Sequence, residues 1–154
     1  MLVIFLDFDG VLNSKRYIEA NNAYGICLDP VCLKYLKEIV DKTGAKIVLT
    51  TSWREHWDKD EKLCDETGVL INKTFNSIGL EIFDKTPYLN LRREHEIKAW
   101  LDNTPQVDNF LVLDDMLLGA DFLKGHFIKT SYYIGGLNEE HVKGSICILN
   151  EKRS

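Results

Sequence analysis

At 154 residues, 45% hydrophobic and 28% charged, the chain is long enough to bury one core and too short for two generous domains, so one domain over residues 1–154 is expected. A net charge of −5 argues against holding nucleic acid by a general basic field, and leaves room only for a local basic site. No stretch approaches the roughly 18 apolar residues of a membrane span, and the N-terminal apolar run has no basic leader and ends in an acid, so a cytoplasmic protein with no membrane contact is expected.

The run LVIFL at residues 2–6 empties into Asp7, Phe8, Asp9 and Gly10, which reads as a buried strand of a parallel sheet ending in a turn with two carboxylates. Acids at the C-terminal end of such a strand lie where open α/β sheets place their ligands. Residues 13–28 are weakly periodic and rich in Asn, and read as a loop or flap placed to overhang that turn. Asp29 and Pro30 then open a helix over 30–43, with one apolar stripe and Gly44 as its stop. KIVLT at 46–50 is a second strand, followed by Thr51, Ser52, Trp53 and Arg54. A helix over 55–66 stopped by Gly68, a short strand at 69–71 and an irregular insertion over 72–91 follow. Helix resumes over 92–102. A strand at 110–113 ends in Asp114 and Asp115, another covers 126–129, and a final amphipathic helix covers 138–150.

Cys27, Cys32, Cys64 and Cys147 are scattered, with no C-x-x-C pair, and the four histidines show no metal-ligand spacing. Reduced structural thiols and structural histidines are expected, with no zinc site. Trp53 and Trp57 are either core residues or a wall on which a base could stack. Lys15 and Arg16 either guide an anionic substrate or keep their loop in water.

Strand alternating with helix implies an α/β fold, a mostly parallel sheet with helices on both faces. Right-handed crossovers then bring the strand ends to one edge, so Asp7/Asp9, Thr50/Thr51/Ser52 and Asp114/Asp115 should meet. Two acids one residue apart on a tight turn can approach one ligand together. A hydroxyl at the second strand end can bind phosphoryl oxygens. Thr50 follows the apolar run most directly. Arg54 can grip a phosphate bidentately or pair with Glu55 or Asp58.

D-F-D-G-V-L at 7–12, a hydroxyl closing the second strand, a basic residue opening a later helix and L-D-D at 113–115 together resemble, in that order, the haloacid dehalogenase (HAD) superfamily of phosphohydrolases. T-S-W-R at 51–54, R-x-x-E-I at 93–97 and G-L-N-E-E-x-V at 136–142 are similar to a small, cap-poor bacterial and phage subgroup, some of whose members are linked to nucleic-acid end repair. The resemblance implies a Rossmann-like three-layer sandwich with a minimal cap or none. It implies a magnesium-dependent phosphatase in which Asp7 forms an aspartyl-phosphate and Asp9 protonates the leaving group and then activates water. It favours Thr51, with Ser52 as a second contact, for the phosphate. Arg93 stands in for the superfamily's usual lysine, with Arg92 and Lys98 as competitors. Mg2+ would take Asp7, the carbonyl of Asp9 and Asp114, with Asp115 orienting a bound water or the ligand itself.

An uncapped site suits an accessible phosphomonoester such as a polynucleotide end. A small phosphorylated metabolite or a phosphoprotein is the alternative substrate, and no stable protein partner is inferred. A receiver-like, non-catalytic phospho-acceptor would also group acids, a hydroxyl and a cation on a parallel sheet. It differs in order, since here D-x-D comes first and D-D last.

Overall fold

The computed structural model describes residues 1–21 and 25–152. Its strands are β1 (Leu2–Leu6), β2 (Lys46–Leu49), β3 (Ile82–Lys85), β4 (Asn109–Asp114) and β5 (Phe127–Lys129). They form one sheet in the order β3-β2-β1-β4-β5, and every pairing is parallel. The chain therefore has the Rossmann-like α/β architecture that the alternation of its apolar runs implies. The order reverses between β1 and β4, the switch point at which such sheets open a crevice beyond their carboxyl ends.

The helices are α1 (Lys15–Ala20), α2 (Pro30–Thr43), α3 (Glu66–Ser77), α4 (Arg93–Asp102) and α5 (Glu139–Asn150). Side-chain alternation along β1 sorts them into layers. Ile4 and Leu6 face a core shared with Leu36, Ile39, Phe75 and Leu149 of α2, α3 and α5. Val3 and Phe5 face the opposite core, where Ile97 and Trp100 of α4 pack. The Phe5 and Trp100 rings meet edge to face at 5.4 Å. Helix α2 begins and ends where expected, because the Asp29 carboxylate accepts the Val31 N–H at 2.9 Å and Gly44 closes it at φ 71°.

The middle of the chain differs from its sequence reading. The helix expected over 55–66 is two 3-10 turns, Ser52–His56 and Glu61–Leu63. The strand expected at 69–71 lies inside α3. Asp65, not Gly68, is the punctuation mark: its carboxylate accepts the Gly68 N–H at 3.0 Å and starts α3. Gly68 sits there because a Cβ would press on the backbone at His56. The insertion expected over 72–91 contains the end of α3 and all of β3, an edge strand in which only Ile82 is buried and which pairs with β2 across a register shift. An edge position needs little apolar signal, which hid this strand. Within the 13–28 flap, α1 is a short helix capped by Ser14, and residues 22–24 lie outside the described residues. Among the described residues no helix is long and apolar enough to cross a membrane.

Candidate active site

Hydrogen bonding continues one residue past the strands. The Asp7 N–H donates to Leu113 O at 3.1 Å, Thr50 N–H to Leu6 O at 2.9 Å, and Thr130 N–H to Asp114 O at 2.9 Å. Asp7, Thr50 and Asp114 therefore stand level at the switch point. In the alternation that sends Val3, Phe5, Val48 and Val112 toward α4, Asp7 and Asp114 fall on the same side. Arg93 opens α4 directly opposite. Its Nη1 lies 3.1 Å from Asp7 Oδ2 and 2.7 Å from Asp114 Oδ2. Arg92 instead reaches Glu94 from an exposed position, and Lys98 pairs with Asp102. Of the three candidate cations, Arg93 is the one that meets the acids.

The acids are crowded. Asp7, Asp114 and Asp115 each offer an oxygen within 4.8 Å of the others. Asp7 is only 5% exposed and Asp114 fully buried. The Asp7 carboxyl is raised to about 7, by burial most of all and with Asp114 and Asp115 adding to the rise, while Arg93 opposes it. Asp115 is raised as well, by burial and then by Asp114. Three carboxyls around one guanidinium leave a surplus of negative charge, and an all-oxygen donor set of that kind fits a hard divalent cation. Asp114 is the more occupied of the late pair, since its Oδ1 accepts the Met116 N–H at 2.9 Å while Oδ2 accepts from Arg93. Asp115 packs against Gly10. A Cβ on Gly10 would lie 2.5 Å from the Asp115 carboxyl carbon, and its φ of 83° is a conformation glycine adopts freely.

Asp9 projects from the same turn into a solvent-exposed position. Both of its oxygens are held: Asn13 Nδ2 donates to Oδ1 at 2.9 Å and Trp53 Nε1 to Oδ2 at 3.0 Å. Neither donor is apparent from sequence as a partner of Asp9. Asn13 is the next polar residue after D-G-V-L and was the available signal. Trp53 lies 44 positions away.

The hydroxyl segment divides three ways. Thr51 caps the Ser52–His56 turn, its Oγ1 accepting the Trp53 N–H at 3.3 Å. Ser52 is exposed and lines a cleft of about 290 Å³ together with Tyr88, Arg92, Arg93 and Met116. Thr50 Oγ1 is buried and has no hydrogen-bond partner among the described residues.

Arg54 does not present itself to a ligand, and the expectation that it grips phosphate is corrected. Its side chain is 5% exposed, and its N–H groups go to Thr86 O (3.1 Å), Thr50 O (3.0 Å), Thr51 O (3.1 Å), Pro87 O (3.4 Å) and Glu96 Oε1 (2.9 Å). A guanidinium has five N–H donors, so none is left for phosphate. Its partner is Glu96, rather than Glu55 or Asp58, and the Tyr88 ring lies over the guanidinium at 4.7 Å. A larger groove of about 560 Å³ beside Arg54 and Trp100 contains none of the clustered acids.

The histidines are structural where their contacts are seen: His126 stacks on Phe110 at 4.0 Å, and His141 completes the capping box of α5. The four cysteines are free thiols. Residues 3–142 match the family model described as the HAD domain in Swiss Army Knife RNA repair proteins. Comparison with curated proteins and with solved structures gives no match.

Proposed function

We propose that this chain, which belongs to the family of HAD domains in Swiss Army Knife RNA repair proteins, is a magnesium-dependent phosphomonoesterase that works through an aspartyl-phosphate on Asp7. Family membership supports a phosphatase-type hydrolase. The mechanism rests on one observation above the others, the Arg93 guanidinium spanning Asp7 and Asp114 beside Asp115 at the sheet's switch point.

Asp7 attacks phosphorus, and as its Oδ–P bond forms the bond from phosphorus to the leaving oxygen breaks. Asp9 gives its proton to that oxygen and is left as a carboxylate. Water then adds to the same phosphorus and passes a proton to Asp9. The Asp7–phosphorus bond breaks, phosphate departs, and both acids return to their starting states. Arg93 offsets the charge of Asp7 and of the arriving phosphate, and Thr51 and Ser52 supply hydroxyls for phosphoryl oxygens. Mg2+ would be held by Asp7, Asp114 and Asp115, with the Asp9 carbonyl. When bound it neutralises the meeting of an anionic nucleophile with an anionic substrate.

The substrate we infer is the phosphorylated end of a polynucleotide. The open cleft beside Arg93 supports this, because it sets the exposed Tyr88 ring, backed by Arg54, next to the exposed Arg92. An aromatic face with a nearby cation is a base-stacking platform for single strands. The test is phosphate release, with Mg2+, from a panel of 3′- and 5′-phosphorylated oligonucleotides, phosphopeptides, sugar phosphates and an aryl phosphate. Turnover of the oligonucleotides, abolished by Asp7→Asn, is expected. No release from any member of the panel would refute the enzyme, and release from sugar phosphates or phosphopeptides alone would refute the substrate.

A further inference from the structure

We propose that Trp53 and Asn13 are positioning residues that hold the Asp9 carboxylate in the one orientation from which it serves the leaving group. This rests on the phosphatase reading above and assigns a role in it to two residues that do not touch phosphate.

An aspartate on an exposed turn is free to turn about both side-chain torsions. Asp9 is not. Its two oxygens are pinned separately by donors from different parts of the chain, Asn13 four residues on and Trp53 from the 3-10 turn that follows β2. The Asn13 amide cannot be flipped without loss: its Oδ1 accepts the Gly10 N–H at 2.8 Å, and its Nδ2 also donates to Cys27 O at 2.8 Å. Asn13 is fully buried, so its end of the clamp is fixed by the turn itself. The Trp53 end is fixed by the Ser52–His56 turn, whose first N–H bond runs from Trp53 to Thr51 Oγ1. One residue thus joins the hydroxyl assigned to phosphate and the acid assigned to the leaving oxygen. Each carboxylate oxygen has two lone pairs, so the clamp leaves a second site on each for the transferred proton.

The dependence on the leaving group separates positioning from mere folding. An alkoxide needs a proton as it departs, whereas p-nitrophenolate leaves well without one. In Trp53→Phe, which keeps an aromatic ring and loses the N–H, kcat/KM for a 5′-phosphorylated oligonucleotide should fall on the order of 10- to 100-fold. The fall for p-nitrophenyl phosphate should be about threefold or less. In an Asp9→Ala background, Trp53→Phe should add no further loss. Asn13→Ala is the harsher variant because it also frees Gly10, so Trp53→Phe carries the test.

A readout independent of turnover is the indole N–H resonance of Trp53, assigned by its disappearance in Trp53→Phe from among the three tryptophans. It should shift in Asp9→Ala. Equal losses on both substrates, no loss on either, additivity in the Asp9→Ala background, or an unmoved indole resonance in an active enzyme would each overturn the positioning role alone. Wild-type protein with no phosphomonoesterase activity would overturn the parent reading and the role together.

Discussion

Replacing Asp7 with asparagine should stabilise the metal-free protein while it removes the chemistry. The Asp7 carboxyl titrates at about 7 in the fold against 3.8 in the open chain. At roughly 1.4 kcal/mol per tenfold change in proton affinity, the ionised form costs the fold on the order of 4 kcal/mol above pH 7. Arg93's attraction is already included in that value. Between the two titration points the folded chain holds more protons than the unfolded one, so stability should fall as pH rises from about 4 to about 7 and then level off. Asparagine is neutral throughout and keeps an oxygen for the Phe8 N–H, which Asp7 Oδ1 accepts at 2.9 Å. Asp7→Asn should therefore gain about 2–4 kcal/mol at pH 8 and about 1 kcal/mol or less at pH 5. In a chain of this size that is a rise in Tm of roughly 4–15 °C at pH 8. Urea unfolding of both proteins in chelator at the two pH values measures it. A destabilised Asp7→Asn at pH 8, or an equal effect at pH 5 and pH 8, would refute the picture of Asp7 as a strained buried anion.

Mg2+ should raise the Tm of the wild type more at pH 8 than at pH 5.5, because below about 7 protons compete with the metal for Asp7; equal shifts in a thermal-melt titration would count against the acid cluster as the binding site. Arg54→Ala should cost about 3–5 kcal/mol by denaturant unfolding, since Glu96 would be left buried without its partner, and a near-neutral result would mean that water reaches the pair. Gly10→Ala should cost about 2–4 kcal/mol and weaken Mg2+ binding, because the new methyl group would displace Asp115; unchanged metal affinity in isothermal titration would separate Asp115 from the metal site.

The edge strand β3 and the middle of the chain were the least legible parts of the fold, whereas the other edge strand, β5, lies where its apolar run placed it. β1, β2 and β4 announce themselves as apolar runs because both faces of a central parallel strand are buried, and their acids and hydroxyls follow directly. β3 carries the run Ile-Phe-Asp-Lys at a sheet edge, where half the signal is absent. Helix spacing supports the choice of Arg93 over Arg92 and Lys98, since Arg93 shares a side of α4 with the buried Ile97 and Trp100 at i+4 and i+7. Arg54 had no such clue. What buries it is Glu96 on α4 and two carbonyls after β3, contacts that exist only once the sheet has formed. The same holds for the indole of Trp53, whose acceptor lies on another strand's turn.

Separated from β2 by one residue, T-S-W-R at 51–54 sends its side chains in divergent directions. Thr51 turns back on its own 3-10 turn, Ser52 into the cleft, Trp53 across to Asp9, and Arg54 inward to Glu96. Glu96 also accepts the Leu89 N–H at 2.8 Å, so Arg54 anchors the segment leading into α4 and, through it, Arg93. A tight turn advances about 120° per residue, so inserting or deleting a single residue here would rotate all four side chains together. The tetrapeptide can therefore be exchanged between proteins only as a block. Engineering that seeks a new substrate has its freedom in the rim formed by Tyr88, Arg92 and Met116, where a change alters one contact at a time.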